Sequence, residues 1–357
     1  MTKGRQVYRK IKEKANIGVF FDEVSQYWLT GFYSTDSLVI VTEENTLLFL
    51  DSRYLAAAEK EKSNGGLYGD VVLYPLAGGV FEALNSYAPK GGAALDSALI
   101  SLSRFEFLKE NCKGREFVPM ENICGELRSV KTSDEIEKIK KAQAITDKTF
   151  SYILNVIKPG VTEKRIAAEI EFFIKTNGGD GVAFDTIAVS GLSSAFPHGT
   201  PQDKAIRENS FITLDFGAKY KGYCSDMTRT VVLGRADDEM RHVYSVVLEA
   251  QISALSAIKG GMTGREADGI ARDVIAKAGY GKYFGHSLGH SLGIEIHERP
   301  NFSPKSETVI PPGAVMTVEP GIYIENKFGV RIEDMVVITP GGVENLTKSP
   351  KELIEIC

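Results

Sequence analysis

The chain has 357 residues, of which 43% are hydrophobic and 25% are charged, and its formal net charge is −5. A chain of this length usually forms more than one hydrophobic core, so two domains are expected. The small negative charge and the lack of a long basic block argue against nucleic acid as a partner. No stretch approaches the roughly 20 apolar residues that a membrane helix needs. The composition therefore indicates a globular protein with neither nucleic acid nor a membrane as partner.

The N-terminal segment and the cysteines bear on the cellular compartment. A basic N-terminus is followed by an apolar run over residues 17–21, which is too short for the apolar region of a signal peptide. The cysteines are scattered and form no CxxC pair; they are Cys112, Cys124, Cys224 and Cys357. A reducing compartment is the simplest interpretation, and we expect a cytoplasmic protein.

The first part of the chain alternates strands and helices, as expected of a sheet with helices packed on it. The predicted elements, in order, are a helix over 6–15, strands over 17–21, 37–41 and 47–51, a helix over 54–62, and further elements over 71–74, 81–87 and 103–109. We predict that an α/β domain spans residues 1–127 and that a second domain spans residues 131–357.

The second domain opens with a helix start signal and contains an internal repeat. Thr132 and Glu135 have the spacing of a capping box, and the helix that follows is expected to run to Lys158, before Pro159-Gly160. The segment PGVTEKRIAAEIEFFIKTNGG resembles GGMTGREADGIARDVIAKAGYG, which begins 101 residues later. Each copy precedes a strand-rich segment with polar residues. We therefore predict an α+β domain built from two pseudo-symmetric halves.

Two predicted hairpins place acidic residues in pairs. A hairpin that turns at Tyr220-Lys221 would put Asp215 of ITLDFG directly opposite Asp226 of YCSDMTRT. Facing residues of this kind have Cβ atoms roughly 5 Å apart, and two like charges there are destabilising. Such carboxylates raise one another's pKa unless a cation lies between them.

The same pattern recurs downstream. A hairpin centred on Asn326 would put Glu319 of TVEPG opposite Glu333 of VRIEDM. One acidic pair alone could be an ordinary solvated pair, but two pairs in apolar strands indicate two divalent cations. His290 of GHSLGHSLG would add a nitrogen ligand. Oxygen ligands with one imidazole suit Mn²⁺ or Co²⁺, and Zn²⁺ also fits.

Four of the five histidines lie in two motifs. His198 is in AFPHGT, and the segment GHSLGHSLGIEIHERP contains His286, His290 and His297. Three histidines within twelve residues, interleaved with glycines, indicate a site. His242 lies in a charged helical segment, and we interpret it as structural.

The motifs TLDFG, CSDMTRT, GHSLGHSLG, HERP, VEPGIY and GVRIEDM together resemble the pita-bread metallopeptidases, most closely the Xaa-Pro dipeptidase (prolidase) and aminopeptidase P group. YWLTGF and LLFLDSRY near the start resemble the small N-terminal domain of those enzymes, which implies a creatinase N-terminal-like, ribonuclease H-like domain before a pita-bread catalytic domain. The resemblance implies hydrolysis of the Xaa-Pro bond at the N-terminus of short peptides, and a homodimer.

The resemblance also implies a role for each matching residue. Two divalent metal ions per chain would be held by Asp215, Asp226, His290, Glu319 and Glu333, with Asp226 and Glu333 bridging. A water between the ions would be the nucleophile, and Glu319 would relay its proton. His198 and His297 would stabilise the tetrahedral intermediate, and His286 and Arg331 would contact the substrate or support the ligands.

Several alternatives remain at this stage. A dipeptidase and an aminopeptidase P share these motifs, so the length of the substrate stays open. Methionine aminopeptidases share the five ligands, but they usually have a Gln-x-Glu-His pattern where this chain has RIED around Glu333. A non-catalytic binding protein, or a metal-free creatinase-like enzyme, would have lost ligands that this chain retains.

Overall fold

The computed structural model describes residues 1–357, and the chain divides into two compact units, Met1–Arg128 and Ser129–Cys357. No helix combines the length and the apolar character that crossing a membrane would require. Hydrophobic clusters of buried residues form within each unit.

The first unit is a six-stranded mixed sheet with helices packed on it. Strand β1 lies inside the sheet, antiparallel to β2 and parallel to β5. The helices are α1 (Lys3–Ile11), α2 (Glu23–Thr30), α3 (Ser52–Ser63), α4 (Gly79–Glu82), α5 (Leu102–Asn111) and α6 (Ile123–Arg128), and a π-helical turn covers Ala83–Tyr87. The strands are β1 (Ile17–Phe20), β2 (Ser37–Val41), β3 (Thr46–Leu50), β4 (Val71–Pro75), β5 (Ala93–Asp96) and β6 (Phe117–Met120).

The second unit contains four helices around several mostly antiparallel sheets, so its expected α+β class is confirmed. The helices are α7 (Ser133–Ile153), α8 (Glu163–Thr176), α9 (Asp238–Ala257) and α10 (Gly264–Lys277). The strands are β7 (Gly181–Val182), β8 (Ile187–Ser190), β9 (Ser210–Phe216), β10 (Ala218–Tyr220), β11 (Tyr223–Cys224), β12 (Met227–Leu233), β13 (Gly289–Ser291), β14 (Glu298–Phe302), β15 (Val315–Val318), β16 (Gly321–Ile324), β17 (Phe328–Arg331), β18 (Asp334–Thr339), β19 (Gly342–Asn345) and β20 (Glu355–Ile356).

The predicted internal repeat is present in the structure. Thr162 caps α8 and Thr263 caps α10, and each makes an isolated antiparallel bridge, with Ala205 and Val309 respectively. The capping box predicted at Thr132 forms, and Thr263 and Glu266 form a second one. Helix α7, however, ends at Ile153 and not at Lys158, because the residues after Ile153 form turns.

The prediction that Asp215 lies directly opposite Asp226 is wrong. The turn is centred on Lys221 and Gly222, which have φ angles of 46° and 73°, so the register moves by two residues and Thr228 lies opposite Asp215. Because side chains alternate between faces with a period of two, the shift keeps Asp226 on the same face as Thr228.

The strand carrying Asp226 is also interrupted. β11 ends at Cys224 and β12 begins at Met227, so Ser225 and Asp226 lie between two strands. A Cβ atom at Gly217 would come within 1.8 Å of the Ser225 carbonyl oxygen, so only glycine permits this close approach.

The second predicted hairpin has the predicted register. Gly321 pairs with Arg331 in the β16–β17 ladder, and Val318 pairs with Asp334 in the β15–β18 ladder. Asn326 occupies the turn with a φ angle of 58°. Glu319 and Glu333 therefore face each other between two ladders that share one register.

Candidate metal centre

The predicted site residues line one cavity of about 580 Å³ in the second unit. Strand β9 carries Asp215, and Asp226 lies just before β12. Strand β13 carries His290, while Glu319 and Glu333 follow β15 and precede β18 respectively. All five side chains line the cavity, together with His198, His286, His297 and Arg331.

Three of the predicted ligands form the closest group. The ligand atoms of Asp226, His290 and Glu333 all lie within 4.8 Å of one another. Glu319 adjoins this group, since its Oε1 atom lies 3.5 Å from His290 Nε2. His290 Nε2 lies 3.6 Å from Asp226 Oδ2. These gaps are too long for good hydrogen bonds, and they are short enough for side chains to share a cation.

His290 is oriented and neutral, as a metal ligand has to be. Its Nδ1 atom lies 3.2 Å from the Ser291 carbonyl oxygen, which can only accept, so Nδ1 carries the proton and Nε2 presents a lone pair to the cavity. Burial, and then the nearby His297, lowers the pKa of His290 to about 4. The backbone N–H of His290 donates to Thr317 Oγ1 at 3.0 Å, which fixes the strand that carries the ring.

Asp215 is held by a chain of hydrogen bonds that crosses the cavity. Arg331 Nη2 donates to Asp215 Oδ2 at 2.6 Å, and Arg331 Nη1 donates to the Tyr323 hydroxyl at 2.9 Å. His286 Nε2 lies 2.9 Å from the same hydroxyl, while His286 Nδ1 lies 2.8 Å from the Ser287 carbonyl oxygen. The carbonyl requires a proton on Nδ1, so the hydroxyl of Tyr323 donates to Nε2.

The carboxylates carry more negative charge than their surroundings balance. Burial, followed by the charge of Glu333, raises the pKa of Asp226 well above its usual value. Burial, followed by the charge of Glu319, does the same to the pKa of Glu333. Burial raises the pKa of Glu319 to about 8. These pKa shifts mean that the carboxylates do not readily keep their negative charge together. A divalent cation would balance that charge.

The hydrogen-bond inventory supports the same conclusion. Asp215 Oδ1 and Asp226 Oδ1 are buried and have no hydrogen-bond partner. A buried carboxylate oxygen without a partner is costly, and a bound cation or water would remove that cost. Oxygen-rich donor sets with one imidazole suit Mn²⁺ and Co²⁺ and accommodate Zn²⁺. The residues present therefore fit divalent cations.

The remaining predicted histidines are distributed around the cavity. The His297 ring centroid lies 4.4 Å from that of His290, in an edge-to-face arrangement. His198 and His297 are solvent-exposed at the cavity wall, whereas His286 is half-buried and packs against Tyr323 and Phe284. His242 is an exposed residue of α9 and does not line the cavity.

Two supporting residues were not predicted from the sequence. Thr228 Oγ1 accepts from Arg331 Nε at 2.9 Å and donates to Glu333 Oε2 at 2.6 Å. Tyr323 joins Arg331 to His286. For Thr228, the signal was the period of two from Asp226 along a strand, which puts both side chains on one face. For Tyr323, the partners are distant in the sequence, and no local pattern indicates them.

Comparisons with known proteins agree with these observations. A model of metallopeptidase family M24 matches residues 137–340, and a model of the creatinase/prolidase N-terminal domain matches residues 9–130. An Xaa-Pro dipeptidase of Pyrococcus furiosus is 41% identical over 317 residues, covering 89% of this chain and 88% of the relative.

Solved structures agree along nearly the whole chain. That of an Xaa-Pro dipeptidase from Bacillus anthracis is 40% identical, with a TM-score of 0.92 and coverage of 99% of both chains. That of an X-Pro aminopeptidase from Thermotoga maritima is 38% identical, with a TM-score of 0.91, and covers 98% of this chain and 100% of that chain.

Proposed function

Because the chain belongs to metallopeptidase family M24, with its pita-bread fold, and is therefore a peptidase, we propose that it is a dinuclear metal exopeptidase that cleaves the Xaa-Pro bond at the N-terminus of dipeptides or short peptides. Two similar proteins are called Xaa-Pro dipeptidases and a third an X-Pro aminopeptidase, which supports proline as the second residue of the substrate.

One observation carries the metal assignment: four carboxylates and one neutral imidazole converge on one cavity, where two buried carboxylate oxygens lack any hydrogen-bond partner. The proposed ligands of the two ions are Asp215, Asp226, His290, Glu319 and Glu333. When bound, divalent cations supply a water of lowered pKa as nucleophile and polarise the scissile carbonyl.

The chain's own residues move the proton and hold the substrate. Glu319 accepts the proton of the attacking water. The Thr317 hydroxyl orients the Glu319 carboxylate by donating to its Oε1 atom at 3.2 Å. His198 and His297, at the exposed cavity wall, donate to the oxyanion that develops on the substrate. Arg331 keeps Asp215 in position, and its rigid fork also fixes Tyr323.

The cavity suits a small peptide with a proline. Its volume of about 580 Å³ lies in the usual range of pockets for small ligands. Apolar side chains of Phe184, Pro197 and Ile296 form part of its wall, and a pyrrolidine ring, which lacks an N–H, needs no donor or acceptor from them.

The proposal is tested with metal-stripped protein and a series of peptides. After EDTA treatment, Mn²⁺, Co²⁺ and Zn²⁺ are added back separately, and cleavage of Ala-Pro, Ala-Pro-Ala, longer Ala-Pro peptides, Ala-Ala and Met-Ala is followed. We expect metal-dependent cleavage before proline and little cleavage of Ala-Ala. Cleavage confined to Ala-Pro identifies a dipeptidase, and efficient cleavage of the longer peptides identifies an aminopeptidase P.

Two results would overturn the proposal. If neither Ala-Pro nor Ala-Pro-Ala is cleaved with any of the metals, the Xaa-Pro activity is wrong, and cleavage of Met-Ala alone would favour a methionine aminopeptidase. If EDTA leaves Ala-Pro hydrolysis intact, the metal mechanism is wrong. Size-exclusion chromatography tests the proposed homodimer, which a mass near that of one chain would contradict.

A pair of variants tests whether activity requires Glu319, the proposed proton acceptor and metal ligand, more than it requires an exposed glutamate. Glu319→Gln keeps the shape of the side chain but removes its basicity, so kcat should fall by roughly 10²–10⁴-fold. Glu325→Gln, at the exposed turn between β16 and β17, is the matched control and should retain wild-type activity. Equal kcat values in the two variants would contradict the role of Glu319.

A further inference from the structure

Arg229 is a fully buried arginine that lies behind the candidate metal centre and does not line the cavity. It is in β12, next to Thr228, and its side chain is 1% exposed. A guanidinium group has five N–H donors, and a buried one has to satisfy all of them. The partners of Arg229 therefore indicate what this residue does.

All five donors of Arg229 are used, and they divide into two groups. Nη1 donates to the Glu333 carbonyl oxygen at 2.5 Å and to the Thr228 carbonyl oxygen at 2.9 Å. Nε donates to the Pro350 carbonyl oxygen at 2.9 Å. Nη2 donates to Asp334 Oδ1 at 2.7 Å and to the Ser349 carbonyl oxygen at 2.8 Å. The Nη1 bonds form the first group, with the carbonyl groups of Thr228 and Glu333. The Nε and Nη2 bonds form the second group, with the Asp334 side chain and the segment 349–350.

The first group fixes the backbone of a proposed metal ligand. The Glu333 N–H donates to the same Thr228 carbonyl oxygen at 3.1 Å, so Glu333 is held at both its N–H and its carbonyl group. The Thr228 hydroxyl then donates to Glu333 Oε2 at 2.6 Å and fixes the side chain. Arg229 and Thr228 are neighbours, so a displacement of Arg229 would be transmitted to both contacts.

The second group depends on a segment that is itself anchored. The Asp147 carboxylate on α7 accepts from the backbone N–H groups of Lys348 and Ser349 and from the Ser349 hydroxyl. Lys351 forms an ion pair with Asp334, which is fully buried. Residues 348–351, here called the C-terminal anchor, thus connect α7 through Arg229 to Glu333.

The ion pair between Arg229 and Asp334 is buried, which argues for a positioning role of Arg229 over simple stabilisation. Both side chains are withdrawn from water, with 1% of Arg229 and 0% of Asp334 exposed, and Lys351 pairs with the same carboxylate. Removing two charges from water costs so much that an apolar replacement is often equally stable. A network with every donor satisfied instead fixes one geometry, and geometry is what a metal ligand requires.

We propose that Arg229 is a positioning residue for the metal centre, which holds Glu333 in its ligating position by fastening it to the C-terminal anchor. This inference rests on the proposed function, because Glu333 is taken to bind metal. Residues that support metal ligands change metal affinity when they are lost, by roughly 10–100-fold.

The test measures Mn²⁺ binding to the full, metal-stripped chain by isothermal titration calorimetry. Arg229→Lys keeps the positive charge beside Asp334 but has three donors in place of five, so it cannot reach both groups. We expect its Mn²⁺ dissociation constant to rise by about tenfold or more. Arg241→Lys is the matched control, because Arg241 also contacts the C-terminal part of the chain, at Glu355, but does not contact Glu333.

Thermal unfolding shows whether the effect is specific. A merely structural role would lower the melting temperature of metal-free Arg229→Lys and leave the Mn²⁺ dissociation constant of the folded protein unchanged. Unchanged affinity would overturn the inference. If Arg229→Lys does not fold, the same titration is made with Asp147→Ala. Asp147 holds the C-terminal anchor and does not contact Glu333. Weaker Mn²⁺ binding by Asp147→Ala then supports the inference, and wild-type binding overturns it.

The wild-type titration separates this inference from the proposed function. If the wild-type chain binds no Mn²⁺, Co²⁺ or Zn²⁺, the proposed metal centre fails, and the role of Arg229 fails with it. If the wild-type chain binds metal and Arg229→Lys binds it equally well, only the role of Arg229 fails.

Discussion

Acidification should destabilise the metal-free protein through one histidine of the cavity wall, His286, and His286→Gln should remove that sensitivity. Burial, followed by the charge of Arg331, lowers the pKa of His286 to about 4. In the unfolded chain the pKa of a histidine is about 6.5. Between pH 4 and pH 6.5, His286 is therefore mostly protonated in the unfolded chain and mostly neutral in the folded chain. The stabilising contribution is complete above pH 6.5 and is lost as the pH falls towards 4.

The size of the effect follows from the two pKa values. At pH 5.0 the unfolded chain is almost fully protonated at this residue and the folded chain is about one-tenth protonated, which amounts to about 2 kcal/mol of lost stability. The side chain packs against Phe284 and Tyr323, and its charged neighbours are Arg331, His198 and Arg272. None of these offers a negative charge that would favour protonation.

Urea unfolding in the presence of EDTA, at pH 7.5 and at pH 5.0, measures the difference. Wild-type protein should lose about 2 kcal/mol more than His286→Gln between the two pH values, because all other titrating groups are common to both. His242→Gln, at an exposed position outside the cavity, is the control and should match wild type. An equal loss in wild type and His286→Gln would refute the reasoning.

Two further predictions concern charges of the site, and a third concerns a buried ion pair outside the cavity. Asp226→Asn removes a buried carboxylate of raised pKa, so the metal-free protein should melt at a higher temperature while the stabilisation by Mn²⁺ is lost; a retained Mn²⁺ effect would contradict this. Arg331→Lys cannot donate to both the Asp215 carboxylate and the Tyr323 hydroxyl, so kcat/KM should fall by about 10²-fold. Unchanged kinetics would exclude the positioning role of Arg331. Lys131→Met removes one end of an ion pair that is at most 5% exposed, and should cost roughly 3–5 kcal/mol of unfolding free energy. Lys327→Met, in an exposed pair, should cost less than about 1 kcal/mol, and similar losses in both lysine variants would contradict this difference.

The two hairpins show how far sequence reasoning reaches. Asn326 tolerates a positive φ angle, and the predicted turn around it gave the correct register for Glu319 and Glu333. In the first hairpin, the turn was placed one residue too early, because Gly222 provides the second positive φ angle. An error of one residue in the turn moves the pairing by two, so the predicted face survived although the predicted partner did not.

The supporting network could not be predicted in the same way. The bonds of Arg229 to Asp334 and to Pro350 connect residues 105 and 121 positions apart, and no local periodicity encodes such pairs. The break between Cys224 and Met227 likewise depends on the close approach of Gly217, which only the folded strands reveal. Residue types and spacing indicated the proposed ligands, whereas tertiary packing determines which residues hold them in place.

The duplicated arrangement of the second unit has a consequence for how the protein is made. One half supplies Asp215 and Asp226, the other supplies Glu319 and Glu333, and Arg229 finds its last partner only at Pro350. During synthesis, the first acidic pair leaves the ribosome long before the residues that complete the centre. A nascent chain therefore cannot bring the two acidic pairs together until residue 333 has emerged, and the partner of Arg229 at Pro350 emerges later still.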